Sequence, residues 1–255
     1  MLTPGLISVT FRKRSPAEII ALVSQANLRA IEWGGDVHVP HGDLHRSMEV
    51  RRQMQDSGLV VSAYGSYYRV GQSEREGLSF ECVLETAVAL AAPTIRVWAG
   101  TVGSQQADAA YRARIIEESR RIADVASAAN VSISYAFHGG TLTDTNESAC
   151  RLLREVDHPN VYTFWQPPNG EQPAYCLAGL QALLPRLTHV HVFHWWPTAS
   201  DRRPLAEGRD RWAQYLRAIR ATGRDHFASL EFVRNDSLDA FLEDAQTLRH
   251  WLVSE

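Results

Sequence analysis

The sequence contains little cysteine, and its cysteines follow no recognisable spacing. Cys82, Cys150 and Cys176 lie far apart and form no C-x-x-C pair. An odd number of cysteines without pairing logic is typical of reduced thiols, so we expect a cytoplasmic protein. Each cysteine lies in an apolar pattern of helical type, which predicts a position in the core rather than the role of a nucleophile.

An excess of charge and a long apolar run are missing as well. The net charge is -3 and the pI is about 6.4, so no basic surface indicates a nucleic acid or a membrane surface as partner. No apolar stretch is long enough to span a bilayer. The first residues also lack the charged start and apolar segment of a secretory signal.

The sequence does have a regular alternation of β-rich and amphipathic segments. Strands are expected at 6–11, 30–33, 59–66, 94–100, 131–140, 161–168, 187–195 and 226–233. Helices are expected at 15–28, 44–57, 78–92, 107–129, 146–156, around 177–184, at 209–221, and from Ser237 to the end of the chain. About eight βα units in 255 residues predict an α/β fold of the (β/α)₈ TIM barrel type, with a single domain over residues 1–255. An open doubly wound sheet would usually have a glycine-rich turn after its first strand, and FRKRSP is not such a turn.

Polar side chains collect at the carboxyl ends of several strands, where parallel barrels bind their substrates. Because side chains alternate along a strand, His138, Gln166, His191 and Glu231 are expected to point into the barrel mouth. Histidine, carboxylate and amide groups suit a borderline divalent ion, so His191, Gln166 and Glu231 are predicted metal ligands. The ion would polarise a carbonyl or hydroxyl oxygen of a sugar, and Glu231 would act as ligand, as base, or as both in turn.

Other residues near the strand ends have two interpretations each. Glu32 either contacts the substrate or anchors the turn at 34–35. Tryptophans near strand ends either fill the core or stack on a sugar ring, and three of them are substrate-binding candidates: Trp98, Trp165 and Trp195. Arg203 either binds a phosphate or carboxylate or lies in a solvated loop. His189, deeper in the barrel, is predicted to be a packing residue.

Three segments, taken in order, resemble a known family. They are IEWGGD at 31–36, THVHVFHW at 188–195 and FASLEF at 227–232. The chain resembles the xylose isomerase-like TIM barrels, the sugar phosphate isomerases and epimerases, over essentially its whole length. The resemblance implies one divalent metal (Mn, Mg, Co or Zn) held by a glutamate, an aspartate, a histidine and a second glutamate. In such enzymes the two glutamates commonly take part in proton transfer as well.

The chain departs from this pattern at two ligand positions. The histidine falls on His191 and the last glutamate on Glu231, but the first glutamate falls on Ala136 and the aspartate on Gln166. The next histidine of the family falls on Asn169, a further substrate-binding candidate. Loss of two carboxylates should weaken metal binding and remove one of two acid/base groups.

The resemblance implies a sugar or sugar-phosphate isomerase or epimerase that moves a proton at a carbon next to a carbonyl. Glu231 is the expected base, and His138, one step along its strand from Ala136, is a candidate substitute acid or ligand. The expected partner is a small polyol or sugar, and the resemblance is compatible with a homo-oligomer. A lyase or dehydratase on the same fold is one alternative, and a non-catalytic carbohydrate-binding or regulatory barrel is another.

Overall fold

Eight parallel strands form a closed barrel in the order β1 to β8, with a helix after each strand. The computed structural model describes residues 1–254. The strands are β1 (Leu2–Ile7), β2 (Ala30–Gly34), β3 (Val60–Arg69), β4 (Thr94–Trp98), β5 (Ser132–Tyr135), β6 (Val161–Trp165), β7 (Leu187–Val192) and β8 (His226–Leu230). The helices are α1 (Pro16–Gln25), α2 (Leu44–Asp56), α3 (Phe80–Leu90), α4 (Ala109–Ala128), α5 (Asn146–Val156), α6 (Pro173–Leu183), α7 (Arg209–Arg220) and α8 (Leu238–Ser254). The predicted TIM barrel is confirmed.

The start of α1 has the cap that its sequence predicts. The Ser15 hydroxyl accepts a hydrogen bond from the Glu18 N–H, and the Glu18 carboxylate accepts one from the Ser15 N–H at 2.7 Å. Pro16 occupies the first turn, where the missing N–H has no helical partner to lose. The helix therefore begins at a fixed residue, Pro16.

The first strand differs from the prediction. A strand was expected at 6–11, but β1 ends at Ile7, and Ser8–Phe11 form a single 3-10 turn. The Ser8 hydroxyl accepts a hydrogen bond from the Gly34 N–H at 2.8 Å, and Phe11 packs edge-on against Phe241 of α8 at 5.4 Å. These contacts bend the chain away from the barrel, which β-branched composition alone does not reveal.

The barrel interior contains the packing histidine that the sequence predicts. His189 is buried between the rings of Phe164 and Phe227, at centroid distances of 4.2 Å and 5.0 Å. Its Nε2–H donates to the Ser62 carbonyl at 3.0 Å. Burial lowers the pKa of His189 to about 3, so the ring is neutral and belongs to the core.

Trp165 lies on the other side of the sheet, and the prediction that it binds substrate is wrong. Its ring is fully buried and packs edge-on against Tyr215 and Trp212 of α7, at 5.1 Å and 6.4 Å. Phe164, its neighbour on β6, faces the barrel interior instead. The alternation of side chains along β6 therefore directs Trp165 to the layer between sheet and helices.

The three cysteines lie on α3, α5 and α6, and all three are free thiols. Cys176 is buried, whereas Cys82 and Cys150 are half-buried. Within residues 1–254, no helix is both long enough and apolar enough to cross a membrane.

Asp244 of α8 is a buried carboxylic acid outside the barrel mouth. Its Oδ1 accepts a hydrogen bond from the Leu205 N–H at 2.8 Å. Burial raises its pKa to about 6, and the nearby Glu243 also raises it, while Arg234 acts in the opposite direction. The folded state therefore favours the protonated acid, and ionisation between pH 4 and 6 lowers the free energy of unfolding.

We predict that Asp244→Asn stabilises the protein at pH 7.5 by about 2 kcal/mol, because the amide keeps the acceptor oxygen and removes the buried charge. Near pH 4 the carboxyl group is protonated in the folded state and about half ionised in the unfolded state, so most of the difference between variant and wild type should disappear. Urea unfolding curves at both pH values test this expectation. An equal difference at the two pH values would contradict it.

Candidate active site

Four charged side chains form a connected chain across the carboxyl end of the barrel. Glu32 lies in the middle of β2, Arg96 lies in β4, His191 lies in β7 and Glu231 directly follows β8. Arg96 Nε donates to Glu32 Oε1 at 2.6 Å, and His191 Nε2 donates to Glu32 Oε2 at 3.0 Å. His191 Nδ1 lies 3.6 Å from Glu231 Oε2, an ion-pair distance. We call these four residues the charge chain.

The barrel register and one glycine bring the charge chain together. His191 pairs with Ser229 in the parallel β7–β8 ladder, so Glu231 emerges two residues later on the same face. Between Glu32 and Arg96, a Cβ on Gly65 would lie 2.8 Å from Glu32 Oε1 and 2.9 Å from Arg96 Nη2. Position 65 must therefore lack a side chain for the pair to form.

The charge chain is buried, so its members depend on one another for neutralisation. The exposed fraction of the side chain is 0% for Glu32, 6% for Arg96 and 3% for His191. Removing one partner of a buried ion pair leaves a charge without compensation, which typically costs about 3–5 kcal/mol. This layer of the barrel is consequently held by charge pairing as well as by packing.

The protonation states follow from these contacts. Burial alone would raise the pKa of Glu32, but the charges of Arg96 and His191 outweigh it and lower the pKa to about 2. Burial alone would lower the pKa of His191, but Glu231 and Glu32 raise it to about 9. At neutral pH, His191 is therefore an imidazolium with a proton on each ring nitrogen.

Glu231 is the member of the charge chain that is open to a ligand. Its side chain is 13% exposed, and its Oε2 is buried without a hydrogen-bond partner within residues 1–254. Its backbone N–H donates to the Val192 carbonyl at 3.1 Å, which fixes the residue at the end of β8. An unpartnered carboxylate oxygen beside an imidazolium is suited to accept a proton from a bound molecule.

A second group of polar residues above the charge chain was missed in the sequence. The Tyr67 ring lies 5.5 Å from the guanidinium carbon of Arg96, and its hydroxyl accepts a hydrogen bond from Arg12 Nη2 at 3.0 Å. Arg12 also pairs with Asp36. For Arg96 a signal did exist, because an arginine inside the apolar strand TIRVW must have a buried partner. Tyr67 and Arg12 carry no comparable signal.

His138 and Trp98 lie together at the rim of the barrel mouth. Their rings are 4.2 Å apart at a tilt of 32°, and Tyr67 lies 5.9 Å from Trp98 on another side. His138 is exposed, with Nδ1 2.7 Å from the carbonyl oxygen of Gly139. Within the described chain, no hydrogen bond or ion pair joins His138 to Glu231, so the two predicted catalytic residues are not brought into contact.

The other predicted substrate-binding residues lie on loops around the mouth. Trp195 stacks on Phe193 at 3.7 Å and is half-buried, whereas Asn169 is exposed in the loop after β6. Arg203 donates from Nε to the Trp196 carbonyl at 2.8 Å and lies 3.4 Å from Glu207. Arg203 therefore braces the loop after β7, in keeping with the plainer of its two interpretations.

The predicted metal ligands do not form a donor set that fits a divalent ion. Gln166 is a half-buried neutral amide, and buried Ala136 has no ligand atom. In His191 the two ring nitrogens face Glu32 at 3.0 Å and Glu231 at 3.6 Å, so both are already directed at carboxylates. Over residues 1–254, no group of three or more His, Cys, Asp or Glu side chains is arranged to hold a metal ion.

Comparison with known proteins identifies relatives over the full length of the chain. The family described as "Xylose isomerase-like TIM barrel" matches residues 20–251. A 3-dehydroshikimate dehydratase of Bacillus anthracis is 26% identical, and the match covers 96% of this chain and 95% of that protein.

Solved structures of other proteins have the same fold. A probable 3-DHS dehydratase from Bacillus anthracis has a TM-score of 0.82 and 22% identity, over 98% of this chain and 99% of its own. A D-psicose 3-epimerase with D-tagatose from Clostridium cellulolyticum has a TM-score of 0.76 and 15% identity, over 98% of each chain. A Mycobacterium smegmatis protein in complex with magnesium has a TM-score of 0.75 and 19% identity, over 99% of this chain and 97% of its own. The barrel topology and the match over residues 20–251 lead to one conclusion: this chain belongs to the xylose isomerase-like TIM barrel family.

Proposed function

We propose that this chain is an enzyme that removes a proton from a carbon next to a carbonyl group in a small polyhydroxylated substrate. Glu231 is the base. The observation that carries this proposal is the buried, unpartnered Oε2 of Glu231 at the barrel mouth, 3.6 Å from the cationic ring of His191. A carboxylate in this setting can take the proton from carbon, and the neighbouring cation can stabilise the negative charge that develops on the substrate oxygen.

The proposed step is common to two reactions. The C–H bond breaks, Glu231 takes the proton, and the electron pair moves to the carbonyl oxygen to give an enolate. In an epimerase, a second acid returns a proton to the opposite face of the same carbon. In a dehydratase, the enolate electrons instead expel a hydroxyl group from the next carbon, and that group leaves as water after taking a proton.

A dehydration fits the available acid/base groups better than an epimerisation does. Epimerisation needs a proton-transfer group on each face of the carbon, and the position of the first family glutamate is Ala136. Glu32 is not a substitute, because Arg96 and His191 hold it ionised and fully buried. One base can serve an elimination, since it can return the proton that it took to the leaving hydroxyl group.

The curated relative supports the same preference. Its name describes a 3-dehydroshikimate dehydratase, and it aligns with 96% of this chain. We therefore propose a hydroxylated cyclic ketone with a carboxylate as first candidate substrate, ahead of a ketohexose. Tyr67 and Trp98, 5.9 Å apart at the rim, offer aromatic faces to such a ring, and Arg69 lies 5.6 Å from the Trp98 ring.

A covalent imine is not available to this chain as an alternative route. Its single lysine, Lys13, is exposed after the turn that follows β1. Schiff-base catalysis requires a lysine amine that reaches the substrate carbonyl from a desolvated pocket. Enolate formation by a carboxylate base is therefore the route that the residues of the barrel mouth support. The free thiols agree with a cytoplasmic location, which we propose together with the activity.

We predict that the purified protein converts 3-dehydroshikimate to an aromatic dihydroxybenzoate, because loss of water and enolisation make the existing ring aromatic. The absorbance of the aromatic product follows the reaction, and a parallel panel contains D-psicose, D-tagatose and D-fructose. Turnover of a ketohexose alone would favour epimerisation over dehydration. Binding of a panel compound without turnover of any would contradict the enzyme proposal and favour a carbohydrate-binding barrel.

We predict that Glu231→Gln lowers kcat on the confirmed substrate by about 10²–10⁴-fold, because the amide keeps the size of the side chain but cannot accept the proton. The matched control is Glu243→Gln, which alters an exposed carboxylate paired with Arg234 at 3.4 Å. Circular dichroism checks that both variants fold. Wild-type kcat in a folded Glu231→Gln variant would disprove its role as base.

A further inference from the structure

We propose that this barrel works without a bound metal and that Arg96 provides the positive charge for the substrate oxygen. The inference deepens the proposed function and rests on it for the catalytic role of Arg96. Its metal-free part can be measured without any turnover.

The positions opposite the charge chain supply no charge for a metal. Ala136, after β5, and Gln166, after β6, stand where the family resemblance places two carboxylates. At a site between these positions and Glu231, a divalent ion would contact at most one carboxylate, that of Glu231. The affinity of such a site for the ion falls with each carboxylate that is lost. Both substitutions lie on the same side of the mouth, so their effects on that site add.

The same barrel layer already contains a permanent cation, the guanidinium of Arg96. Arg96 lies 2.6 Å from Glu32, whose other carboxylate oxygen lies 3.0 Å from His191, and His191 also faces Glu231 at 3.6 Å. Both ring nitrogens of His191 therefore already face carboxylates. A divalent ion added here would meet the charge of Arg96 in a low-dielectric environment, where like charges repel strongly.

Arg96 is placed to act on a substrate oxygen. Its hydrogen bond to Glu32 uses Nε, and over residues 1–254 its Nη groups donate to no other protein group. Gly65 leaves room for Nη2 itself, since a Cβ there would lie only 2.9 Å from it. Arg96 and Glu231 lie at the two ends of the charge chain, which joins them through Glu32 and His191 by contacts of 2.6, 3.0 and 3.6 Å. In the proposed complex, the guanidinium edge and the base contact neighbouring atoms of one ligand.

The proposed step balances without a metal. As Glu231 takes the proton from carbon, the electron pair that is released forms the enolate, and its oxygen receives N–H donors from Arg96 Nη. A guanidinium is charged at every accessible pH and presents its donors in a fixed plane, so it stabilises an oxyanion without reorganisation.

The first experiment measures metal. Protein expressed in medium with Mn²⁺, Mg²⁺, Co²⁺ and Zn²⁺ is purified without a histidine tag and examined by elemental mass spectrometry and by thermal unfolding with added Mn²⁺. We expect less than about 0.1 metal ion per chain and no shift in Tm, as for any ligand that does not bind the folded state. Stoichiometric metal, or a Tm that rises with Mn²⁺ and no longer rises in His191→Ala, would overturn the inference.

A gain-of-binding variant tests the reason for the absence of metal affinity. Ala136→Glu combined with Gln166→Asp returns a carboxylate to both positions, and we expect Mn²⁺ to raise the Tm of this variant and not that of wild type. No rise in the folded double variant would overturn the explanation by these two residues. If the double variant does not fold, Gln166→Asp alone replaces it in the test. We expect this single variant to bind Mn²⁺ more tightly than wild type does.

The second experiment separates this inference from the proposed function. Turnover of 3-dehydroshikimate by wild type in excess EDTA is expected at the full rate. If turnover requires Mn²⁺, the enzyme proposal holds and the present inference fails. If no substrate is turned over under any condition, the enzyme proposal fails, and the metal measurement still decides the metal-free part.

The role of Arg96 is tested in a variant that keeps the barrel neutral. Glu32→Gln with Arg96→Met removes a buried pair together, so no buried charge is left alone. We expect a folded protein whose kcat falls at least 100-fold while its KM changes less than threefold, because the lost donor acts on the developing oxyanion. The matched control, Arg96→Lys with Glu32 retained, keeps a buried ion pair and should recover part of kcat. Wild-type kcat in the folded Met variant would overturn the role of Arg96.

Discussion

The structure of the barrel mouth depends on the mutual neutralisation of four buried charges. These charges belong to residues in or directly after four different strands: Glu32, Arg96, His191 and Glu231. The first three are almost entirely removed from water. Each buried charge would be costly without its neighbours, because an isolated buried charge loses its hydration without compensation. Their pairing therefore fixes the protonation of His191, the orientation of Glu32 and the position of Glu231 Oε2, which has no hydrogen-bond partner within residues 1–254.

This constraint connects the family membership of the chain to its departures from the family pattern. The resemblance assigns carboxylates to positions 136 and 166, where the chain has alanine and glutamine. The barrel mouth therefore lacks negative charge at these two positions, beside β5 and β6, and it has the positive charge of Arg96 in β4. A metal-centred site and a guanidinium-centred site are two solutions to the same problem, which is to stabilise oxygen-centred negative charge when a proton leaves carbon.

The sequence predicted most of the fold and part of the site. The strand and helix periodicities placed seven strands and eight helices to within a few residues, since each element has its own local pattern. His191 and Glu231 were expected on one face at adjacent strand ends, and they lie 3.6 Å apart. The end of β1 was predicted wrongly, because tertiary contacts of Ser8 and Phe11 determine where that strand stops.

The rest of the site depends on contacts between strands that are distant in sequence. Glu32 and Arg96 are 64 residues apart, so strand register and the missing side chain at Gly65 decide whether they meet. In the sequence, Trp165 has the same position near a strand end as the other candidate tryptophans. Its place in the alternation of side chains along β6 directs it to α7. Tyr67 joins the rim at an irregularity within β3, where its φ is positive, and Arg12 joins it from the chain after the 3-10 turn. Backbone irregularities of this kind have no periodic signature.

The most direct test of the central claim is a titration of the His191 ring by ¹⁵N NMR, with His191→Asn to identify its signals. Protons on both ring nitrogens at pH 7.5, and a titration midpoint near 9, are the predicted results. A neutral ring at pH 7.5, with a midpoint at or below 6.5, would contradict the account, because His191 would then be free of its two carboxylates and available as a metal ligand.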